Sequence, residues 1–113
     1  MEILTWLQAW YVARCDGEWE FREGIKLLSV SNPGWSVEIN VSNTPLEEAC
    51  IPLTKFDKSA DDWYSYLLED ALFVGSGDPA KLEVILQVFR NLIENGPPTS
   101  SASTNSQEKK IEL

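Results

Sequence analysis

The side chains of this sequence that could do chemistry are few, and their types point to contact rather than catalysis. None of the 113 residues is a histidine, so the commonest general base, metal ligand and proton shuttle is missing. Serine–histidine and cysteine–histidine nucleophile pairs are excluded with it. Zinc would have to rest on Cys15, Cys50 and carboxylates, with no Cys-x-x-Cys pair to anchor it. Gly75-Ser76-Gly77 lacks the third glycine of a dinucleotide fingerprint and the Lys-Ser/Thr of a phosphate loop. It reads instead as a flexible entry to a helix cap at Asp78. What remains is a set of carboxylates: Asp16, Glu18, Glu20 and Glu23 in and after one turn, and Asp61 and Asp62 in another. Paired carboxylates can do acid–base work, but charge runs in loops are commonly solvated surface. The Asp16-Gly17-Glu18 turn also lacks the alternating oxygen ligands of a calcium loop. No metal or cofactor is expected.

Trp19 stands between Glu18 and Glu20. Either its ring folds back over the core, or it stands in the surface as an aromatic anchor ringed by charge, as interface hot spots do. The overall charge favours a docking role for this turn. Nine basic residues face 18 acidic ones, a net −9, which disfavours nucleic acid as a direct ligand and suits a basic protein partner. Asp16, Glu18, Trp19, Glu20 and Glu23, with Asp61 and Asp62, are the expected partner-binding residues.

The elements that must hold these residues follow from periodicity. Ile3, Leu7 and Trp10 form one stripe of a helix over residues 2–14, widened by Leu4, Trp6 and Tyr11, and Asp16-Gly17 stops it. Residues 24–30 and 35–41 read as a hairpin, with Trp35, Val37, Ile39 and Val41 on its buried face. Pro33 and Gly34 suit the two central positions of a type II turn. A third strand is expected around Cys50–Phe56, at an edge because of Pro52, followed by a polar connection over 57–62. Residues 63–68 and 72–74 read as a second hairpin turning at Glu69-Asp70-Ala71; a helix over 61–72 is the competing reading. Gly75-Ser76-Gly77 then ends the sheet. Asp78 and Pro79 predict the cap and first position of a last helix. Its apolar face is Leu82, Ile85, Leu86, Phe89, Leu92 and Ile93, and Asn95-Gly96-Pro97 ends it. The fold expected is α+β in two layers: helix, four or five antiparallel strands, helix, in a single domain over residues 1–95.

Residues 96–113 are poor in apolar groups and rich in Ser, Thr, Asn and Pro, the composition of a disordered tail. The tail's charges cancel (Glu108 and Glu112 against Lys109 and Lys110), so the whole −9 lies on the domain. No apolar run approaches the roughly 20 residues of a membrane span, and the N-terminus has no basic region ahead of a short apolar one. A cytoplasmic chain with two free thiols is therefore expected, with one Cys15–Cys50 bridge as the alternative.

Several stretches in order resemble a known family. They are Glu2-Ile3-Leu4, Trp6-Leu7-Gln8, Trp10-Tyr11, Cys15-Asp16-Gly17-Glu18-Trp19-Glu20, Gly24-Ile25-Lys26 and Asn32-Pro33-Gly34-Trp35-Ser36-Val37. Asp62-Trp63, Gly77-Asp78-Pro79, Leu82-Glu83 and Phe89 continue the pattern. Across about residues 2–93 the chain resembles the immunity protein 53 family of bacterial polymorphic-toxin systems. The resemblance implies a cytoplasmic protein that binds and neutralises a cognate toxin, and it brings no catalytic residues. A stoichiometric inhibitor is the leading reading, its acidic surface steered onto a basic toxin, a nuclease being one kind whose cleft must be positive. The alternative is a small-ligand or peptide-binding module without catalysis, using a groove between the sheet and Trp19. An enzyme working through carboxylates alone is the weakest reading. If residues 96–113 are dispensable, a chain ending at Asn95 keeps its thermal midpoint. A loss of more than a few degrees would mean that the tail packs on the domain.

Overall fold

The computed structural model describes residues 2–22 and 24–97. In chain order the elements are α1 (Ile3–Arg14), α2 (Trp19–Arg22), β1 (Ile25–Val30), β2 (Gly34–Asn40), β3 (Ile51–Ser59), β4 (Asp62–Glu69), β5 (Leu72–Gly77) and α3 (Leu82–Asn95). The strands form one sheet in the order β1-β2-β5-β4-β3, every neighbour antiparallel. This is the α+β architecture expected from the pattern. The β3–β4–β5 meander and the β1–β2 hairpin join where β2 pairs with β5.

Alternation along the strands decides which face the helices cover. Trp35, Val37 and Ile39 lie opposite Gly77, Gly75 and Phe73, and these lie opposite Tyr64, Tyr66 and Leu68. All nine residues therefore share one face. Onto it α3 lays Ile85, Leu86, Phe89 and Leu92, all buried, and α1 adds Ile3 and Leu7. Gly75 and Gly77 are small for a reason. A Cβ at Gly75 would sit 2.5 Å from Cγ2 of Ile85, and one at Gly77 would sit 2.8 Å from Cβ of Lys81. Their bare backbone lets α3 settle close to the sheet centre. Phe89 then makes edge contacts with Trp10 at 5.0 Å and Trp6 at 6.1 Å, and a tilted one with Phe73 at 5.2 Å. One ring thus ties both long helices to the sheet.

Several local expectations give way. Gly34 does not take the positive φ of a type II turn but begins β2 opposite Val30. It must be glycine because a Cβ there would strike the carbonyl oxygen of Gly77. Residues 57–62 are not a connection: β3 runs to Ser59 and β4 starts at Asp62. Strand 3 is an edge strand as Pro52 suggested. Gly75-Ser76-Gly77 lies inside β5 and is no flexible entry. Residues 62–77 form a hairpin, not a helix, because Asp70 and Ala71 both adopt positive φ (55° and 63°), as a two-residue turn matched to strand twist requires. Helix α3 begins at Leu82 rather than beside Pro79, since Asp78 is held elsewhere. The tail expected from residue 96 lies, beyond Pro97, outside the described residues.

Because close approach at Gly75 sets the helix–sheet distance, Gly75→Ala should destabilise the domain by about 1–3 kcal/mol, the usual range for overpacking. Ser76→Ala, on the opposite face, serves as the control in the same denaturant titration. Equal midpoints for the two variants would show that α3 has room to spare.

Candidate functional site

The corner between α1 and α2 is built by its own carboxylates. Oδ1 of Asp16 accepts from the backbone N–H of Glu18 (2.9 Å) and of Trp19 (3.0 Å). In return Glu20 accepts from the N–H of Asp16 (3.0 Å) and of Gly17 (2.8 Å). This is a reciprocal capping arrangement that satisfies the first donors of a helix. The N–H groups of Trp19 and then Glu18 hold the Asp16 carboxyl below its ordinary pKa.

That short helix also settles where Trp19 points. Its ring is 7% exposed, packs edge-on against Trp10 at 5.7 Å, and donates its indole N–H to the carbonyl of Asn40 at 3.1 Å. As it stands Trp19 is a core residue, and the anchor reading does not fit its burial. Two residues on, the helix turns Phe21 outward, 87% exposed. The aromatic ring offered to solvent beside the acidic turn is therefore Phe21, which periodicity could not separate from Trp19 in so short a helix. Glu18 is exposed, and its carboxylate makes no hydrogen bond or ion pair among the described residues. Glu23 lies outside the described residues.

The topology adds acidic groups that the linear order kept apart. Arg14 donates to the carbonyl of Asn43 (3.1 Å), and Val41 N–H donates to the carbonyl of Ala71 (2.9 Å). The α1–α2 corner, the 42–50 loop and the β4–β5 turn therefore meet at one end of the sheet. They bring Glu47, Glu48, Glu69 and Asp70, all exposed, to the same rim as Asp16 and Glu18. Sequence reasoning missed these four. Their signal, acidic residues at turns, becomes legible only once it is known which turns share an end.

Asp61 and Asp62 go the other way. They sit where β4 begins, whereas the rim gathers where β4 ends at Glu69. Seven strand steps separate the two, about 23 Å at the usual rise. Asp62 pairs with Lys81 Nζ at 2.8 Å. Lys81 also donates to the buried Asp78 at 2.7 Å, whose carboxylate further accepts from Trp63 N–H and Ala80 N–H, both at 2.8 Å. The donor on Lys81, followed by those two N–H groups, keeps the Asp78 carboxyl below its ordinary pKa despite burial. Bonds to Asp62 and then to Asp78 raise that of Lys81. This cluster knots the start of β4 to the approach of α3, and its geometry is structural.

Against a ligand pocket at Trp19, the cleft lined by Arg14, Asp16, Trp19, Ser42 and Asn43 holds about 160 Å³. That is well below the several hundred Å³ of small-molecule sites. Cys15 and Cys50 are free and exposed. Among the described residues no group of three or more His, Cys, Asp or Glu could hold a metal ion. No helix among them is long and apolar enough to cross a membrane.

A sequence profile of the family described as immunity protein 53 matches residues 4–94. The chain belongs to that family. The match takes in the whole sheet and all but the first residue of α1 and the last residue of α3. No curated protein and no solved structure matches the chain. Immunity protein families are generally non-catalytic, and membership implies a cognate toxin as partner. For this family member, the acidic rim is thus a surface to be weighed as an interface.

The Asp78 cluster makes a pH-dependent contribution of known sign. A carboxyl whose folded pKa is depressed stabilises the fold above its unfolded pKa, about 3.9, and loses that contribution as pH falls through the folded value. Lys81, raised in the fold, contributes below about pH 10.4 and loses it as pH rises through its higher folded value. Asp78→Asn should therefore lower the thermal midpoint at pH 7 and flatten its fall below pH 4. Matching melting curves for wild type and variant from pH 2 to 7 would rule the cluster out as a stabilising element.

Proposed function

We propose that this immunity protein binds its cognate toxin through the acidic rim, one copy to one toxin, and so covers the toxin's working surface. The observation that carries the reading is Phe21, an exposed aromatic ring beside carboxylates that make no ion pair among the described residues, at an acidic end of a chain of net charge −9. Asp16 and Glu20 shape the corner, and Glu18, Glu48, Glu69 and Asp70 supply its field. Glu23 enters the proposal from its place in the sequence alone, as a partner-binding carboxylate. Such a field steers encounter with a basic partner, and a ring such as Phe21 slows escape once docked. A nuclease fits this description, because a cleft that grips phosphates is positive. A partner of this kind would be met in the cytoplasm, where both proteins are made. Asp61 and Asp62 stand at the far end of the sheet and form the second surface to be tested.

The test uses the cognate toxin as the binding partner. The side chains of Glu18, Glu48 and Glu69 are exposed and take no part in the capping bonds, where Glu18 contributes only its backbone N–H, so reversing all three to Lys leaves the corner intact. The triple variant should associate at least about tenfold more slowly than wild type at low salt while keeping its melting temperature. Near physiological ionic strength, where the Debye length is about 8 Å, the difference should shrink. Phe21→Ala should instead raise the dissociation rate, and Trp19→Ala should destabilise the fold by about 3–5 kcal/mol. Wild-type association by the triple variant would move the interface away from the rim, and loss of binding on reversing Asp61 would place it at the far end.

A further inference from the structure

The two edges of the sheet are treated differently. Strand β3 carries Pro52, Lys55, Asp57 and Lys58, and its register is broken between Ile51 and Thr54 and again between Asp57 and Ser59. Prolines, charges and bulges are how natural sheets stop an edge from pairing with another chain. Strand β1, Ile-Lys-Leu-Leu-Ser-Val, has none of these save Lys26. Its pairing with β2 is unbroken over all six residues. Leu27, Leu28 and Val30 are 40%, 55% and 39% exposed, so apolar groups show on both faces of the strand. An edge this regular and this apolar is complete only when covered.

Its backbone is ready to pair. Opposed residues of an antiparallel ladder alternate between exchanging both hydrogen bonds and exchanging none. Asn40 N–H donates to the carbonyl of Gly24 (3.2 Å), so Lys26, Leu28 and Val30 turn their backbone groups toward β2. Ile25, Leu27 and Ser29 turn theirs outward. Leu27 and Ser29 also point to the helix-covered face yet remain exposed, so the helix layer stops short of this part of the edge.

Charge identifies the occupant. No Asp or Glu lies between Gly24 and Val37, an acid-free stretch in a chain with 18 carboxylates. A basic partner finds no attraction there, whereas a second copy of this chain meets least repulsion there. We infer that β1 pairs antiparallel with β1 of a second copy about a two-fold axis at Leu27, making one ten-stranded sheet from two chains. In that register Leu27 faces Leu27, Ile25 faces Ser29, and Lys26 faces Leu28. Because β1 starts beside the acidic rim and runs away from it, antiparallel pairing sends the two rims to opposite ends of the joint sheet. Both rims stay open, so the dimer does not depend on what the rim binds.

The measurement is molar mass by light scattering on the full chain across concentration and salt. The mass should rise toward twice that of one chain with concentration. It should rise further with salt, which screens repulsion between two chains of like charge; a rim-bound basic toxin shows the opposite salt response. Ser29→Pro removes an outward N–H that no intrachain ladder bond uses, and Leu27→Lys sets two cations face to face on the axis. Each should shift the equilibrium to monomer by tenfold or more. Should a variant fail to fold, amide exchange in the wild type decides: the N–H groups of Ile25, Leu27 and Ser29 should slow with concentration. A chain that stays monomeric up to about 10⁻⁴ M, which means binding weaker than about 5.5 kcal/mol, overturns the inference. So does a dimer in which those three amides exchange as fast as in dilute solution.

Discussion

Everything in this domain depends on how closely α3 can approach the middle of the sheet. Helix–sheet contact is a matter of side-chain thickness, and at the centre of β5 that thickness is removed by Gly75 and Gly77. With α3 settled there, Phe89 reaches Phe73 below and Trp6 and Trp10 beside it. Trp10 in turn braces Trp19, whose indole is tied to the end of β2. Packed aromatic contacts of this kind give more than their buried area. The chain of rings runs from the sheet centre to the acidic corner, so the position of that corner is inherited from the core.

Charge plays two roles that only geometry separates. Asp16, Glu20, Asp62, Asp78 and Lys81 are bound up in caps and ion pairs that close turns and tie elements together. Their loss disturbs the fold before it disturbs any partner, because the cap of α2 goes with Asp16 and Glu20, and Asp78, which is buried, is left unpaired without Lys81 at the cost of its desolvation. Glu18, Glu48 and Glu69 have no such duty. Only groups of this second kind can shape a long-range field without also holding the structure, which is why they define the candidate interface.

The molecule then presents two surfaces of opposite character. The rim where β2 and β4 end is acidic and carries an exposed aromatic ring, the combination on which the proposed docking of a basic protein rests. The β1 edge is apolar and free of carboxylates, with open backbone groups, and suits strand addition. The guarded β3 edge shows what the same chain does where pairing is unwanted.

The sequence by itself determined the architecture and the family. Strict alternation at Trp35–Val41 and the helical stripes of α1 and α3 reach this far because each is a local pattern of period two or 3.6, and the motifs along residues 2–93 because each is a short run of residue types in a set order. It could not determine the type II turn wrongly read at Pro33-Gly34, because a steric clash with the distant Gly77 explains that glycine. Nor could it tell Trp19 from Phe21: a four-residue helix is too short for periodicity, and only the room beside Trp10 decides which ring goes in. The strand reading of residues 63–68 and 72–74 won over a helix across 61–72 because two residues, Asp70 and Ala71, accept a left-handed turn. Tertiary structure alone gathered Glu18, Glu48, Glu69 and Asp70 at one end and sent Asp61 and Asp62 to the other. Proximity across an antiparallel sheet follows strand order, and strand order is set by the packing of the whole domain.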